Sequence, residues 1–315
     1  MTAATASMKE KTMDRRSVVK SAAVAGASAV IMAAGGEAVG LRPAQSAVSS
    51  PAAEGGSWLQ TRDGASLFYN DWGSGKPVVF SHAWGLNADI WEYQLTELSD
   101  QGLRCIAYDR RGHGRSSDPG RGYDYDTLAD DLAALIERLD LTDVTLVGFS
   151  MGSGEVARYL SRHGAERIAR IVLVSAVRPK PDGALFPGFI AALKQDRPAF
   201  FAGGVPLFLG NQSAVSPAMS QWVLTQFLRA SPKAIIECMR AISASDLHPD
   251  LAAIKLPTLV IHGGNDQVNP LDKTGKLTAQ AIPGAELRIY EDAPHGLVIT
   301  HRDRLTRDLL AFVRS

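Results

Sequence analysis

A serine flanked by glycines, Gly148-Phe149-Ser150-Met151-Gly152, follows the apolar run Val144-Thr145-Leu146-Val147 and precedes a helical stretch, Ser153 to Arg162. Strand, tight turn and helix in that order are what a nucleophilic serine needs. The chain reverses sharply, so the side chain is forced outward, and glycines leave room where a side chain would strike a neighbouring element. The helix starting just behind it adds partial positive charge where an oxyanion would form. A hydroxyl is a poor nucleophile until a base takes its proton, so an orienting acid and then a histidine are expected further along the chain. Asp266 closes Gly263-Gly264-Asn265-Asp266, directly after the apolar run Thr258 to His262. Its competing role is to cap a helix starting near Pro270. His295 stands in Glu291-Asp292-Ala293-Pro294-His295-Gly296-Leu297, between the run Glu286 to Tyr290 and the last helix. Both loops leave the carboxyl ends of strands, where open α/β sheets carry their sites. The other histidines suit other roles: His163, His248 and His301 read as surface residues, and His82 and His262 end strands and suit structural hydrogen bonds. His113 belongs to the loop Asp109 to Ser117. That loop carries Arg110, Arg111 and Arg115, but its glycines do not spell a phosphate-binding pattern.

Positioning these three groups requires a particular set of elements. From Trp58 short β-rich runs alternate with amphipathic stretches, which builds a mostly parallel sheet with helices on both faces. Eight strands are expected, at Trp58 to Thr61, Leu67 to Trp72, Val78 to His82, Cys105 to Asp109, Val144 to Phe149, Ile168 to Ser175, Thr258 to His262 and Glu286 to Tyr290. The turn signal Arg62-Asp63-Gly64-Ala65 makes an antiparallel hairpin of the first two. Thr127 to Leu139 sets Leu128, Leu132, Leu135, Ile136 and Leu139 on one helical face, which must lie on the sheet. The alternation stops after Ser175 and resumes at Leu256-Pro257-Thr258. The interval reads as an inserted helical cap over residues 177–255, dividing a core of 56–176 and 256–315. Its Phe186, Phe189, Phe200, Phe201, Phe208, Trp222 and Phe227 exceed what a solvated loop would carry, so some must face the sheet.

Composition narrows the function. The 33 basic side chains balance 33 acidic ones, which points away from nucleic acid, and 45% hydrophobic residues suit a packed globular domain. Cys105 and Cys238 have no metal-ligand or redox spacing and read as small apolar residues. Residues 1–55 differ from the rest. Arg15 and Arg16 precede Ser17-Val18-Val19-Lys20 and a weakly apolar stretch to about Ala34, the layout of a twin-arginine export signal, with cleavage expected near Ala44 to Ser50. Lys20 and the abundance of Ala, Gly and Ser argue against a stable membrane span. The mature protein is therefore expected to be exported, periplasmic or secreted.

Val78-Val79-Phe80-Ser81-His82-Ala83-Trp84, Tyr108-Asp109-Arg110-Arg111-Gly112-His113-Gly114-Arg115-Ser116-Ser117, the serine motif and Ala293-Pro294-His295-Gly296-Leu297 together resemble the cofactor-free, non-haem bacterial haloperoxidases and related aryl esterases. The resemblance runs over nearly the whole chain after the export segment. It implies the α/β-hydrolase fold and a triad of Ser150, Asp266 and His295, with no metal and no haem. It implies esterase chemistry on small apolar acyl or aryl esters, with hydrogen peroxide as a side acceptor that yields peracid. By motif match, the backbone N–H groups of Trp84 and Met151 would form the oxyanion hole. A dehalogenase or epoxide hydrolase would need an aspartate at position 150. A non-catalytic receptor would not need all three triad groups. Three positions depart from the pattern: Ala83 where glycine is usual, Gly85 where proline is frequent, and Gly264 where an acidic residue is frequent. Proline in place of Gly85 would fix φ, so its absence predicts hydrolysis over perhydrolysis, with Gly85→Pro shifting the ratio.

Overall fold

The computed structural model describes residues 57–180, 186–210 and 215–315. The expected export segment, residues 1–55, lies outside them, as does the side chain of Phe186. Among the described residues eight strands form one sheet: β1 (Ser57–Gln60), β2 (Ser66–Gly73), β3 (Pro77–Ser81), β4 (Arg104–Tyr108), β5 (Val144–Phe149), β6 (Ile168–Val174), β7 (Thr258–Gly263) and β8 (Glu286–Tyr290). The helices are α1 (Glu92–Asp100), α2 (Tyr125–Arg138), α3 (Met151–His163), α4 (Phe186–Leu209), α5 (Pro217–Leu228), α6 (Pro232–Ala244), α7 (His248–Ala252), α8 (Gly275–Ala281), α9 (Leu297–Thr300) and α10 (Arg302–Arg314).

The strands lie in the order β1-β2-β4-β3-β5-β6-β7-β8. β1, β2 and β4 pair antiparallel, and every later neighbour is parallel. Parallel neighbours need crossovers, and the amphipathic helices supply them. Because side chains alternate along a strand, Val78 and Phe80 of β3 join Leu95 and Leu98 of α1 and Leu305 and Leu309 of α10. Val79 faces the other way, with Leu132 and Leu135 of α2 and Val156 of α3. β5 is buried throughout, which is why it reads as a continuous apolar run rather than an alternating one. α2 begins earlier than the apolar spacing predicts, because Asp124 caps it by accepting from Thr127 N at 2.9 Å.

Four helices, α4 to α7, intervene between β6 and β7. α4 bends at Asp196 (φ −154°, ψ 88°), whose carboxylate accepts from Ala199 N at 2.9 Å and so starts a new helical turn. Ser216-Pro217 and Ser231-Pro232 open α5 and α6 in the same manner, with a serine cap and proline in the first turn. Of the aromatic residues expected to face the sheet, Phe201, Phe208 and Phe227 share a buried cluster with Phe80, Trp91 and Phe149. Phe200 and Trp222 lie half-buried at its margin, whereas Phe189 is exposed. Polar ties complete the attachment. Asn87 Nδ2 donates to Gln226 Oε1 (2.9 Å), Trp84 Nε1 donates to Ile235 O (2.9 Å), and Arg229 pairs with Asp89 (2.7 Å).

Candidate active site

Ser150 sits between β5 and α3 with φ +53° and ψ −114°, a backbone state that side-chain-bearing residues rarely adopt. The state is held from both sides: Ser150 N donates to Val174 O (2.8 Å), and Ser150 O accepts from Ser153 N (2.9 Å) and Ser153 Oγ (2.6 Å). The flanking glycines are required by contact. A Cβ on Gly148 would stand 2.5 Å from Gly152 O, and one on Gly152 would stand 2.6 Å from Ser81 O.

The structure brings the three residues picked from the sequence together. His295 Nε2 lies 3.1 Å from Ser150 Oγ, and His295 Nδ1 lies 2.7 Å from Asp266 Oδ2. All three are buried, Ser150 the least so at 7% exposed. Asp266 carries out both of the roles considered for it. Its Oδ1 accepts from Val268 N (2.9 Å) and Asn269 N (2.7 Å), forming the turn that leads toward Pro270, while Oδ2 faces the histidine. Burial disfavours its charge, but His295 and His262 outweigh that and hold its carboxyl well below the usual carboxylate range. An ionised Asp266 accepts Nδ1–H, which leaves Nε2 of a neutral His295 as the acceptor facing Ser150.

Three further residues support this arrangement: His262 makes the structural hydrogen bond expected of it at a strand end, while no spacing in the sequence signals Asn269 or Ser175. His262 Nε2 lies 2.8 Å from Asn269 O, so it carries the proton, and it approaches Asp266 Oδ2 at 3.3 Å. Asn269 Nδ2 bridges the carbonyls of Ser175 and Ala176, each at 3.2 Å. Ser175 Oγ donates to His295 O at 3.1 Å. The surface histidines behave as expected: His163 pairs with Asp130, His301 with Asp292, and His248 is exposed.

Trp84 lies in a turn closed by Leu86 N donating to Ala83 O at 3.3 Å, and Met151 is the first residue of α3, where N–H groups lack an intrahelical acceptor. Ala83 is not among the positive-φ residues, so its Cβ causes no backbone strain there. Gly85 has φ +73° and occupies the third position of that turn, the type II geometry that calls for glycine. Proline, restricted to φ near −65°, does not fit this backbone. Gly85→Pro would therefore rebuild the turn, and the simple substitution expected from the sequence is not available.

Around the triad the surroundings are aromatic. The Phe149 and Phe208 rings lie 5.4 and 5.7 Å from the His295 ring, and Phe201 stacks on Phe227 at 4.8 Å. Cys105 and Cys238 are both buried and unpaired. No cluster of three metal-ligating side chains occurs among the described residues, and none of the described helices is long and apolar enough to cross a membrane.

Residues 76–233 match the family described as α/β hydrolase fold. The chain is 42% identical over 275 residues to a non-haem chloroperoxidase of Kitasatospora aureofaciens, covering 81% of this chain and 98% of that protein. A bromoperoxidase crystal structure from Bacillus anthracis superimposes with a TM-score of 0.79 at 40% identity, covering 82% of this chain and all of the other. An esterase from Exiguobacterium antarcticum gives 0.80 at 34% identity, again over 82% of this chain and 100% of its own. With the strand order and the serine turn described above, these likenesses establish that the chain is a hydrolase of the α/β-hydrolase fold family, on the branch shared by the non-haem haloperoxidases and esterases.

Proposed function

We propose that the protein hydrolyses small carboxylic esters, acyl or aryl, through an acyl-enzyme on Ser150. The observation that carries this reading is His295 placed between Ser150 Oγ (3.1 Å) and Asp266 Oδ2 (2.7 Å). His295 takes the Ser150 proton as Oγ attacks the ester carbonyl, then gives it to the departing alcohol. Asp266 holds the tautomer and stabilises the imidazolium that forms. The N–H groups of Trp84 and Met151 receive the oxyanion, and water, activated by His295, releases the acid. The Phe149 and Phe208 rings beside His295 favour small apolar acyl or aryl groups over charged ones. Hydrogen peroxide in place of water would release a peracid. Likeness to chloroperoxidase and bromoperoxidase supports this as a side reaction.

The deciding experiment combines chromogenic short-chain esters with a fluorophosphonate probe. Turnover together with a mass increment located on Ser150 is the expected result. Turnover with the probe on another residue, or no turnover of any ester, would overturn the assignment. Halide oxidation with peroxide in acetate buffer, run on the same preparation, is expected to be the weaker activity, and bromination stronger than hydrolysis would reverse that order. The export reading of residues 1–55 rests on Arg15 and Arg16 ahead of the apolar stretch. A mature N-terminus near residue 45–50, lost as a product when both arginines become lysine, is its expected signature.

A further inference from the structure

Beneath the serine turn lies a fully buried ion pair that the triad does not use. Arg110, on the loop after β4, donates through Nε to Glu155 Oε2 and through Nη2 to Ser81 Oγ (2.6 Å) and His82 O. Its own backbone N–H donates to His82 Nε2 at 3.1 Å. His82 Nδ1 lies 2.8 Å from Ala83 O and 2.9 Å from Arg110 Nη1, so the ring stands between the guanidinium and that carbonyl. Burial, with Arg110 and His113 nearby, pushes the His82 imidazole well below its ordinary value, so the ring stays neutral. Ala83 O accepts from Leu86 N at 3.3 Å and from Arg110 Nη1 at 3.5 Å, and lies against the His82 ring.

The next amide is that of Trp84. A trans peptide is planar, with its N–H antiparallel to its C=O. Holding the Ala83 carbonyl toward Arg110 and Leu86 N therefore directs the Trp84 N–H the opposite way, and flipping this peptide would break both of those bonds. Glu155, the other end of the ion pair, lies one helical turn after Met151 on α3. We propose that Arg110 is a positioning residue that locks the Ala83-Trp84 peptide against flipping and ties it to the first turn of α3, so that the Trp84 and Met151 amides are held as one oxyanion-binding pair. Buried ion pairs add little net stability over apolar side chains of the same volume. The effect of this one is placement.

The inference rests on the ester-hydrolase reading above, and Arg110→Lys separates the two. Lysine keeps a positive charge opposite Glu155 but has no planar fork to reach the carbonyls as well. The expected result is a fall in kcat on the order of 10²-fold with KM changed by less than about threefold. The inhibition constant of a boronic acid transition-state analogue should rise by the same factor as kcat/KM falls. A merely structural pair would lower the melting temperature while leaving kcat and the boronate constant at native values, and that outcome overturns the inference. If the lysine variant does not fold, Arg110→Met combined with Glu155→Met removes both charges at similar volume. The same kinetic loss is expected there, and native kcat in that variant overturns the inference. A native protein that hydrolyses no ester sinks the functional reading and this inference together, whereas an active native protein with an unimpaired, folded Arg110 variant sinks this inference alone.

Discussion

On one flank of Ser150 the loop carrying Trp84 is held by charge, through Arg110 and Glu155, both without solvent exposure. On the other flank, the loops carrying Asp266 and His295 are held by close backbone packing. A Cβ on Gly263 would stand 2.2 Å from Ala293 O, and one on Gly264 2.3 Å from Glu291 O. Each flank therefore has its own weakness. Charged anchors fail when one partner is lost, because the other is left buried and unpaired. Packed loops tolerate changes of charge nearby but not an added methyl group, since backbone cannot move aside as a flexible side chain can.

The largest effect is expected at the point both flanks serve. Ser150→Ala should lower kcat on the order of 10⁶-fold, read by ester hydrolysis under saturating substrate. Retention of a tenth of native activity would remove Ser150 from the mechanism. On the packed flank, Asp266→Asn keeps the shape but reverses the tautomer preference of His295. A loss of about 10⁴-fold in kcat is expected with little change in melting temperature, and a small loss would show that the carboxylate charge is dispensable.

On the charged flank, Glu155→Leu leaves Arg110 buried without its partner and should destabilise the fold by about 3–5 kcal/mol in urea titration. Adding Arg110→Met to that variant should restore much of the loss, because the stranded charge is gone. Failure of the second substitution to recover stability would mean that shape, not charge, governs this flank too.

Acid should also act on the charged flank. Burial chiefly, with Arg110 as a further contributor, lowers His113 to about 4, and His82 is lowered as well. The folded protein holds both rings neutral, while the unfolded chain protonates them near pH 6.5. Stability is therefore full above about pH 6.5 and falls as pH drops toward 4. For His113 the difference is on the order of 3 kcal/mol. The measurement is the pH dependence of the urea midpoint in the native protein and in His113→Gln, which should lack that share of the decline. Parallel curves would rule His113 out. The smallest effect is Gly264→Ala, about 1–3 kcal/mol of overpacking against Glu291 O. An unchanged melting temperature would show that the packed flank yields more readily than the contact suggests.

The contrast between the flanks also separates what was legible along the chain from what was not. Apolar runs such as Val144 to Val147 announce strands because a parallel strand buried on both faces must be apolar throughout. Gly148-Phe149-Ser150-Met151-Gly152 is legible because the turn's steric demands fall on adjacent residues, and Asp266 and His295 because each follows a strand end directly. The partner of Arg110 was not legible: Glu155 lies 45 positions away and reaches it only because α3 packs against β5 and β3. Nor was the backbone state of Gly85, where φ +73° is decided by a turn closed through Ala83 O and crowded by Phe227 of the cap. The cap followed the same division. The excess of aromatic residues marks the stretch locally as packed, but Phe201 and Phe208 being buried while Phe189 is exposed depends on which face of α4 meets the sheet. The sequence by itself determined the strand order's ingredients, the serine turn and the two residues, Asp266 and His295, that line up with it, since these depend on neighbours in the chain. The tertiary structure alone decided the contacts of Arg110 with His82 and Ala83, the direction of the Trp84 amide and the aromatic wall around His295, because hydrogen bonds and ring contacts between distant segments exist only once the sheet has brought them together.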